Sequence, residues 1–407
     1  MSKRFWVETY GCQMNLADSE LMEGVLAASG YSRVESPDEA DVILVNTCAI
    51  REHAEQRVLG RVAELNRVKK SRPETVIGVC GCMAQRLGVR LIEKAHYVDM
   101  VIGPDAYRSL PQLIEQAADS AGGIVDVDLK PAENYEGLEI QRQSEVSAWI
   151  PIQRGCNYRC TFCIVPYTRG EEKNREPIAI LEEITRLTGE GITEFTLLGQ
   201  TVNSYRHDDW DFSRLLRAVS RLPGVRRVRF TSPHPNDLGR DLAEVMAEEE
   251  AVCPQMHLPV QSGSDRVLKR MARRYTRAEY LGKVEMLREL VTGIALSTDI
   301  IVGFPGETEE DFEQTLSLVR EVRYDDAYTF RYSPREGTPS TRMNEDWAVP
   351  EAVAQSRLER LIKQVREIAA EKNLSEVGGV VEVLVEKHAR RGDVLQARTA
   401  TNKVVLV

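Results

Sequence analysis

The sequence predicts an α/β protein: a parallel α/β domain, then a partial (β/α)6 TIM-like barrel, then a small C-terminal β-domain. Three observations carry this. Short strand patterns at 4–9, 41–46 and 75–80 alternate with amphipathic helical patterns at 17–29, 51–70 and 85–95, the alternation of a parallel sheet. A stretch at about 120–147, rich in Gly, Asp, Glu and Pro and without periodicity, reads as a linker. Beyond it, strand patterns at 149–153, 193–198, 226–231, 254–258, 295–301 and 327–332 alternate with helical patterns at 177–190, 211–221, 237–248, 276–290 and 308–322. Six such units make an incomplete barrel, because the closed form has eight. A charged helix at 350–373 leads to Gly378 and Gly379 and to β-branched runs at 380–385 and 403–407. The expected boundaries are therefore 1–120, a linker at 121–147, 148–375 and 376–407.

With 42% apolar and 29% charged residues, a chain of 407 residues supports two or three ordinary cores and is not of the disordered class. The first residues hold no apolar stretch long enough for a signal peptide, and apolar runs such as 42–45 fall far short of a membrane span. A soluble, cytoplasmic protein is expected. The net charge of −10 argues against a polyanionic partner for the molecule as a whole. Two local clusters run the other way: Arg154, Arg159, Arg169, Lys173 and Arg175, and Lys269, Arg270, Arg273, Arg274 and Arg277. They are expected to line a basic rim, with a solvated helix face as the alternative for the second.

Cysteine spacing carries the chemistry. Cys156, Cys160 and Cys163 lie in Arg-Gly-Cys-Asn-Tyr-Arg-Cys-Thr-Phe-Cys, directly after the first barrel strand, at the strand end where barrels of this kind gather their chemistry. Three thiolates hold three corners of a four-iron cluster and leave one iron open. Zinc is the rival ligand, but structural zinc takes four Cys or His ligands, usually as two pairs, and no further pair is near. An open iron can chelate S-adenosylmethionine and split its carbon–sulfur bond to a carbon radical, the cofactor supplying the difficult step. A second trio is dispersed: Cys12 in Tyr-Gly-Cys-Gln-Met-Asn, Cys48 in Val-Asn-Thr-Cys-Ala-Ile and Cys82 in Cys-Gly-Cys-Met-Ala-Gln. Each falls just beyond the carboxyl end of an expected strand, the edge where open α/β sheets bind ligands. The alternative for each is a buried apolar thiol, the reading given to Cys80 and Cys253.

The remaining strand ends say less. Leu-Leu-Gly-Gln-Thr-Val-Asn at 197–203 presents Gln200 and Asn203, or is simply a polar turn. His234, between two prolines, reads as a structural residue. Gln261 and Ser262 could face a bound cofactor, or Ser264 could merely cap a helix. The segment 301–312, beginning at Ile301, reads as a strand, a Gly-Pro-Gly type of turn and a capping pattern from Thr308 to Asp311, with a ligand contact as a secondary reading.

The triplet resembles the radical S-adenosylmethionine superfamily, and with the dispersed trio the resemblance narrows to the methylthiotransferases. It covers nearly the whole chain. Gly-Cys-Gln-Met-Asn at 11–15, Asn-Thr-Cys-Ala-Ile-Arg at 46–51 and Pro-Tyr-Thr-Arg-Gly-Glu at 166–171 look most like the bacterial branch of tRNA 2-methylthio-N(6)-isopentenyladenosine synthases. The resemblance implies a radical-generating 4Fe-4S cluster on Cys156, Cys160 and Cys163, with Phe162 beside the adenine of S-adenosylmethionine, and an auxiliary 4Fe-4S cluster on Cys12, Cys48 and Cys82. On that reading Gln200, Asn203, Gln261, Ser262 and Ile301 are the candidate cofactor contacts. It also implies a tRNA anticodon stem-loop as substrate, an electron donor such as flavodoxin or ferredoxin, and a C-terminal domain of the TRAM type, of which residues 376–407 hold only part. The sulfur donor is unknown. Alternative substrates are threonylcarbamoyladenosine in tRNA or an aspartate of a ribosomal protein; the alternative of another class is a noncatalytic, metal-stabilised RNA-binding protein.

Overall fold

Residues Val42–Thr47 and Val76–Gly81 are apolar almost throughout and buried at every position, the mark of strands covered on both faces. They are β3 and β4 of a parallel sheet whose other strands are β1 (Arg4–Thr9), β2 (Ser32–Arg33), β5 (Met100–Ile102) and β6 (Ile124–Asp126). The strand order is β2-β1-β3-β4-β5-β6, and every neighbouring pair is parallel. One face is covered by α1 (Gln13–Ala28) and, later in the chain, Leu110–Asp119; the other by Glu52–Ser71 and the short helices Cys82–Leu87 and Val89–Lys94. The expected single helix at 85–95 divides at Gly88 and begins earlier, at Cys82 itself.

The structure is a computed structural model that describes residues 3–49, 52–120, 122–142, 144–389 and 392–407, with 52–54 described by their backbone alone. Residues 50 and 51, the end of the Asn-Thr-Cys-Ala-Ile-Arg motif, lie outside the described residues. The chain forms two units. The first is Met1–Ser144 with Gln153–Tyr158 and Ile164–Arg175; the second is Glu145–Ile152 with Arg159–Cys163 and Glu176–Val407.

The stretch expected to be a linker is not one. It supplies β6 and then a strap in which Tyr135 is buried, stacks on Tyr107 with ring centroids 5.9 Å apart, and donates its hydroxyl to the carbonyl of Pro104. The Gln141 N–H continues the strap by donating to the Glu20 carbonyl at 3.1 Å. Gly, Asp and Pro mark the absence of helical periodicity, but long-range contacts order the segment: beside Tyr135, Leu138 and Ile140 pack on the core and Arg108 pairs with Glu133 at 2.9 Å.

In the second unit, Ser147–Pro151, Glu194–Leu198 and Arg227–Phe230 form one parallel sheet, and Gln255–His257, Ala295–Val302 and Asp326–Arg331 another. A parallel bridge from Val228 to Val252 joins the two arcs. Helices Pro177–Gly189, Phe212–Ser220, Arg240–Glu248, Arg277–Leu290 and Glu309–Val322 pack outside, sharing one core with the strands. This is the partial barrel the six units implied. The helix Glu351–Leu374 packs along the last strand and leads to an antiparallel sheet of Val383–His388, Leu395–Thr399 and Val404–Leu406. Buried arginines from a barrel strand hold that sheet: Arg229 donates to the carbonyls of Thr399 (2.7 Å) and Ala400 (2.9 Å), and Arg227 to that of Arg398 (2.9 Å). Among the described residues no helix is long and apolar enough to cross a membrane.

Candidate iron–sulfur and radical site

In the first sheet the chain runs from β1 outward to β2, then returns past β1 to β3 on its other side. The connections leaving β1 and β3 therefore diverge to opposite faces, and the crevice between them is the usual ligand position of an open α/β sheet. Cys12 follows β1, Cys48 follows β3 and Cys82 follows β4, so the dispersed trio occupies the carboxyl ends of three neighbouring strands.

Close backbone packing draws these ends together. Gly11 lies at φ +139°, and a Cβ on it would fall 2.8 Å from Cys48 Cβ and 2.5 Å from Asn15 Oδ1. Gly81, at φ +92°, would place a Cβ 2.4 Å from the Thr47 carbonyl oxygen. Two buried amides lock the arrangement: Asn15 Nδ2 donates to Asn46 Oδ1 (3.3 Å) and the Thr47 carbonyl (3.2 Å), while Asn46 Nδ2 donates to the Asn15 carbonyl (2.8 Å) and Ser19 Oγ (3.0 Å). Gly81→Ala is accordingly expected to cost about 1–3 kcal/mol, the usual range for a strained backbone position, and to displace Cys82. Denaturation should show the first effect; iron analysis after anaerobic reconstitution should show loss of about four of about eight irons.

Among the described residues no group of three His, Cys, Asp or Glu side chains is placed to hold a single metal ion. Adjacent strands lie about 4.8 Å apart, so one thiol per strand end suits a group that offers each sulfur its own iron. The donor set fits a 4Fe-4S cluster with one open iron. Cys80 does not compete: it is wholly buried in the sheet core, and burial pushes its thiol up to about 12. Cys253, also buried, is pushed up to about 11.

The triplet 156–163 is divided between the units. In the first, the Cys156 N–H donates to the Gly170 carbonyl at 3.1 Å. In the second, the Cys163 N–H donates to the Cys160 carbonyl at 3.0 Å, and Arg273 Nη1 donates to Cys160 Sγ at 3.5 Å. Arg273 is buried, and its guanidinium also reaches the Tyr275 hydroxyl (2.9 Å) and the Pro259 carbonyl (2.8 Å). Phe162 packs edge-on to Phe304, centroids 6.4 Å apart, in a small apolar cluster that includes Ile301, Met271 and Tyr332.

The other candidates divide. Gln200 is half-buried at the end of Glu194–Leu198. Asn203 is buried, its amide accepting from the His234 N–H (2.7 Å) and donating to the His234 carbonyl (2.9 Å), so it ties two strand ends together. Gln261, at φ +72°, continues the sheet through its backbone between Asp299 and Ile301. Ser262 is wholly buried, its hydroxyl 3.3 Å from Thr315 Oγ1 and accepting from the Ser264 N–H. Neither Asn203 nor Ser262 keeps its polar group for a ligand alone. Ser264 caps Asp265–Arg270, and Thr308 and Asp311 form the expected capping box. Burial, reinforced by Arg273 and Arg274, drives His234 down to about 2; it stays neutral and its Nδ1 accepts from the Asn236 N–H.

The basic rim needs correction. Arg154 and Arg169 are buried against Asp18, at 3.1 and 2.7 Å, and Lys173 pairs with Asp105. Arg273 faces Cys160, and Arg277 pairs with Glu321 at 2.8 Å. Lys269 and Arg274 are exposed. Residue type announces a positive charge but not its direction, and Arg154, Arg169, Lys173 and Arg273 turn theirs inward. Asp18, the partner of two arginines, was missed because an aspartate on an amphipathic helix ordinarily faces water.

Residues 4–103 match the uncharacterized protein family UPF0004, and residues 150–319 match the Radical SAM superfamily. The chain is 47% identical to the tRNA-2-methylthio-N(6)-dimethylallyladenosine synthase of Caldicellulosiruptor saccharolyticus, covering 100% of this chain and 87% of that protein. It is 46% identical to the synthase of the same name from Prosthecochloris aestuarii, covering 100% and 92%. Among solved structures, the radical S-adenosylmethionine methyltransferase TsrM from Kitasatospora setae superposes with a TM-score of 0.57 at 15% identity, over 84% of this chain and 77% of that one. The cobalamin-dependent S-adenosylmethionine radical enzyme OxsB gives 0.60 at 11%, over 91% and 56%; at such identities the likeness is one of fold. One cysteine trio on strand ends, a second in one loop, a partial barrel and relatives matched over the whole of this chain agree: this chain belongs to the family of tRNA-2-methylthio-N(6)-dimethylallyladenosine synthases, within the radical SAM superfamily.

Proposed function

We propose that this chain installs a methylthio group at C2 of N(6)-dimethylallyladenosine (isopentenyladenosine) beside the anticodon of tRNA. The observation that carries the reading is the placing of Cys12, Cys48 and Cys82 on neighbouring strand ends of a chain that also holds the Cys156, Cys160, Cys163 triplet. The C2–H bond has no acidic proton and no leaving group, so acid–base or nucleophilic catalysis has little purchase on it. When bound, the two 4Fe-4S clusters and two molecules of S-adenosylmethionine supply the carbon radical, the sulfur and the methyl group that this bond requires.

The protein's part is placement. Cys156, Cys160 and Cys163 hold the radical-generating group, Arg273 fixes the Cys160 sulfur, and the apolar cluster of Phe162, Phe304 and Ile301 offers a dry surface for the adenine of the cofactor. Gln200, half-buried beyond the end of Glu194–Leu198, is the candidate for a polar contact to the cofactor. The target base has to leave its stack, at least cost in a single-stranded loop. Exposed Lys269 and Arg274 are the phosphate contacts of the second basic cluster. A one-electron donor such as flavodoxin or ferredoxin completes the scheme.

Nucleoside mass spectrometry of tRNA from cells lacking this protein tests the proposal. The expected result is loss of 2-methylthio-N(6)-dimethylallyladenosine with accumulation of N(6)-dimethylallyladenosine, restored by the intact chain. An unchanged nucleoside profile defeats it, and would turn attention to ribosomal protein or to noncatalytic binding.

A further inference from the structure

We infer that Arg169, pinned by Asp18, is a positioning residue that raises the reduction potential of the cluster held at Cys82 and, through the next residue, ties that site to Cys156. The inference rests on the proposed ligand role of Cys12, Cys48 and Cys82.

Arg169 is buried. Its Nε donates to Cys82 Sγ at 3.2 Å, its Nη2 to Asp18 Oδ2 at 2.7 Å, and Nη1 makes no hydrogen bond among the described residues. The other oxygen of Asp18 lies 3.1 Å from Arg154 Nη2. Two buried guanidinium groups thus share one carboxylate, leaving one positive charge in excess. Such a charge is not kept in a dry interior unless something negative balances it. The group Arg169 faces on its other side is a cysteine sulfur, and an anionic thiolate ligand supplies the balance. Cys12 is treated differently: its sulfur receives no cationic donor among the described residues, and as a thiol it donates to the amide oxygen Oδ1 of Asn15 at 3.4 Å. A cationic donor on a ligand sulfur favours the more negative, reduced state of an iron–sulfur group, so its potential rises.

The same turn reaches the triplet. Arg169 ends the helix Val165–Arg169, which packs on Cys82–Leu87, and the adjacent Gly170 carbonyl accepts from the Cys156 N–H. One peptide unit therefore separates the contact to a sulfur of the first trio from the contact to the backbone of the second.

The test uses the full chain with Cys156, Cys160 and Cys163 all replaced by alanine, so that only the Cys12, Cys48, Cys82 group forms. Iron is counted after anaerobic reconstitution and the midpoint potential is read by electron paramagnetic resonance during a redox titration. Arg169→Gln leaves Asp18 paired with Arg154, so no carboxylate is stranded. It is expected to shift the one-electron equilibrium about tenfold toward the oxidised form, ~59 mV downward. Arg169→Lys keeps the charge but not the guanidinium fork; it should shift in the same direction by less, and it carries the test should the glutamine variant fail to fold. Arg154→Gln removes an equal charge from the same carboxylate without touching sulfur, and should move the potential least. Equal potentials for the parent and both Arg169 variants overturn the inference alone. A parent that binds no iron overturns the ligand assignment, and the inference with it.

Discussion

Replacing Cys160 with alanine is expected to abolish cleavage of S-adenosylmethionine and to lower bound iron from about eight atoms to about four. On the proposed ligation two thiolates are left of three, so the radical-generating group loses a corner and the unactivated C–H bond loses the radical that would attack it. The loss should return the reaction to its uncatalysed background, about 10⁶-fold or more. Quantifying 5′-deoxyadenosine and methylthio product by mass spectrometry checks it. Cys82→Ala is the informative contrast: iron again falls by half, but cleavage of S-adenosylmethionine survives while methylthio product disappears. If Cys82→Ala leaves product formation intact, the first trio does not supply sulfur.

Asp18→Ala should cause the largest loss of stability of any single change near the site. Asp18 is 1% exposed and lies between Arg154 and Arg169, themselves buried. Deleting the carboxylate strands both guanidinium groups in a dry interior, and breaking a buried pair in this way costs about 3–5 kcal/mol. The exposed pair Arg240–Glu244, at 2.9 Å, is the control: Glu244→Ala should cost less than about 1 kcal/mol. Urea denaturation of both variants, kept anaerobic, measures the difference. An Asp18→Ala protein as stable as the parent would mean that water reaches the arginines, and would remove the charge-balance argument for Arg169.

Much of this site is legible in the amino-acid sequence. Cys156, Cys160 and Cys163 are readable because a loop of eight residues leaves thiols little freedom to part. Cys12, Cys48 and Cys82 are readable because each follows a strand pattern whose end is marked by polar residues or glycine, apolar and β-branched before Cys48 and Cys82 and mixed before Cys12. The strap through Tyr135 is not, since its order comes from partners far off in sequence, Tyr107 against the ring and Arg108 on Glu133. Nor are β5 and β6, three residues each, too short for periodicity to register. The direction of Arg169 is also hidden, because Thr-Arg-Gly reads equally well as a surface turn.

The sequence by itself determined the chemistry available: which thiols exist, and that Cys12, Cys48 and Cys82 each follow the carboxyl end of a strand, because strand pattern and cysteine spacing are local properties of the chain. Only the tertiary structure decided that β1, β3 and β4 are neighbours, that two asparagines lock their ends, and that the arginines expected on the surface turn inward to Asp18 and to cysteine sulfur. Strand order and the direction of a long charged side chain depend on what is packed around them, and that is set by contacts between residues far apart in sequence.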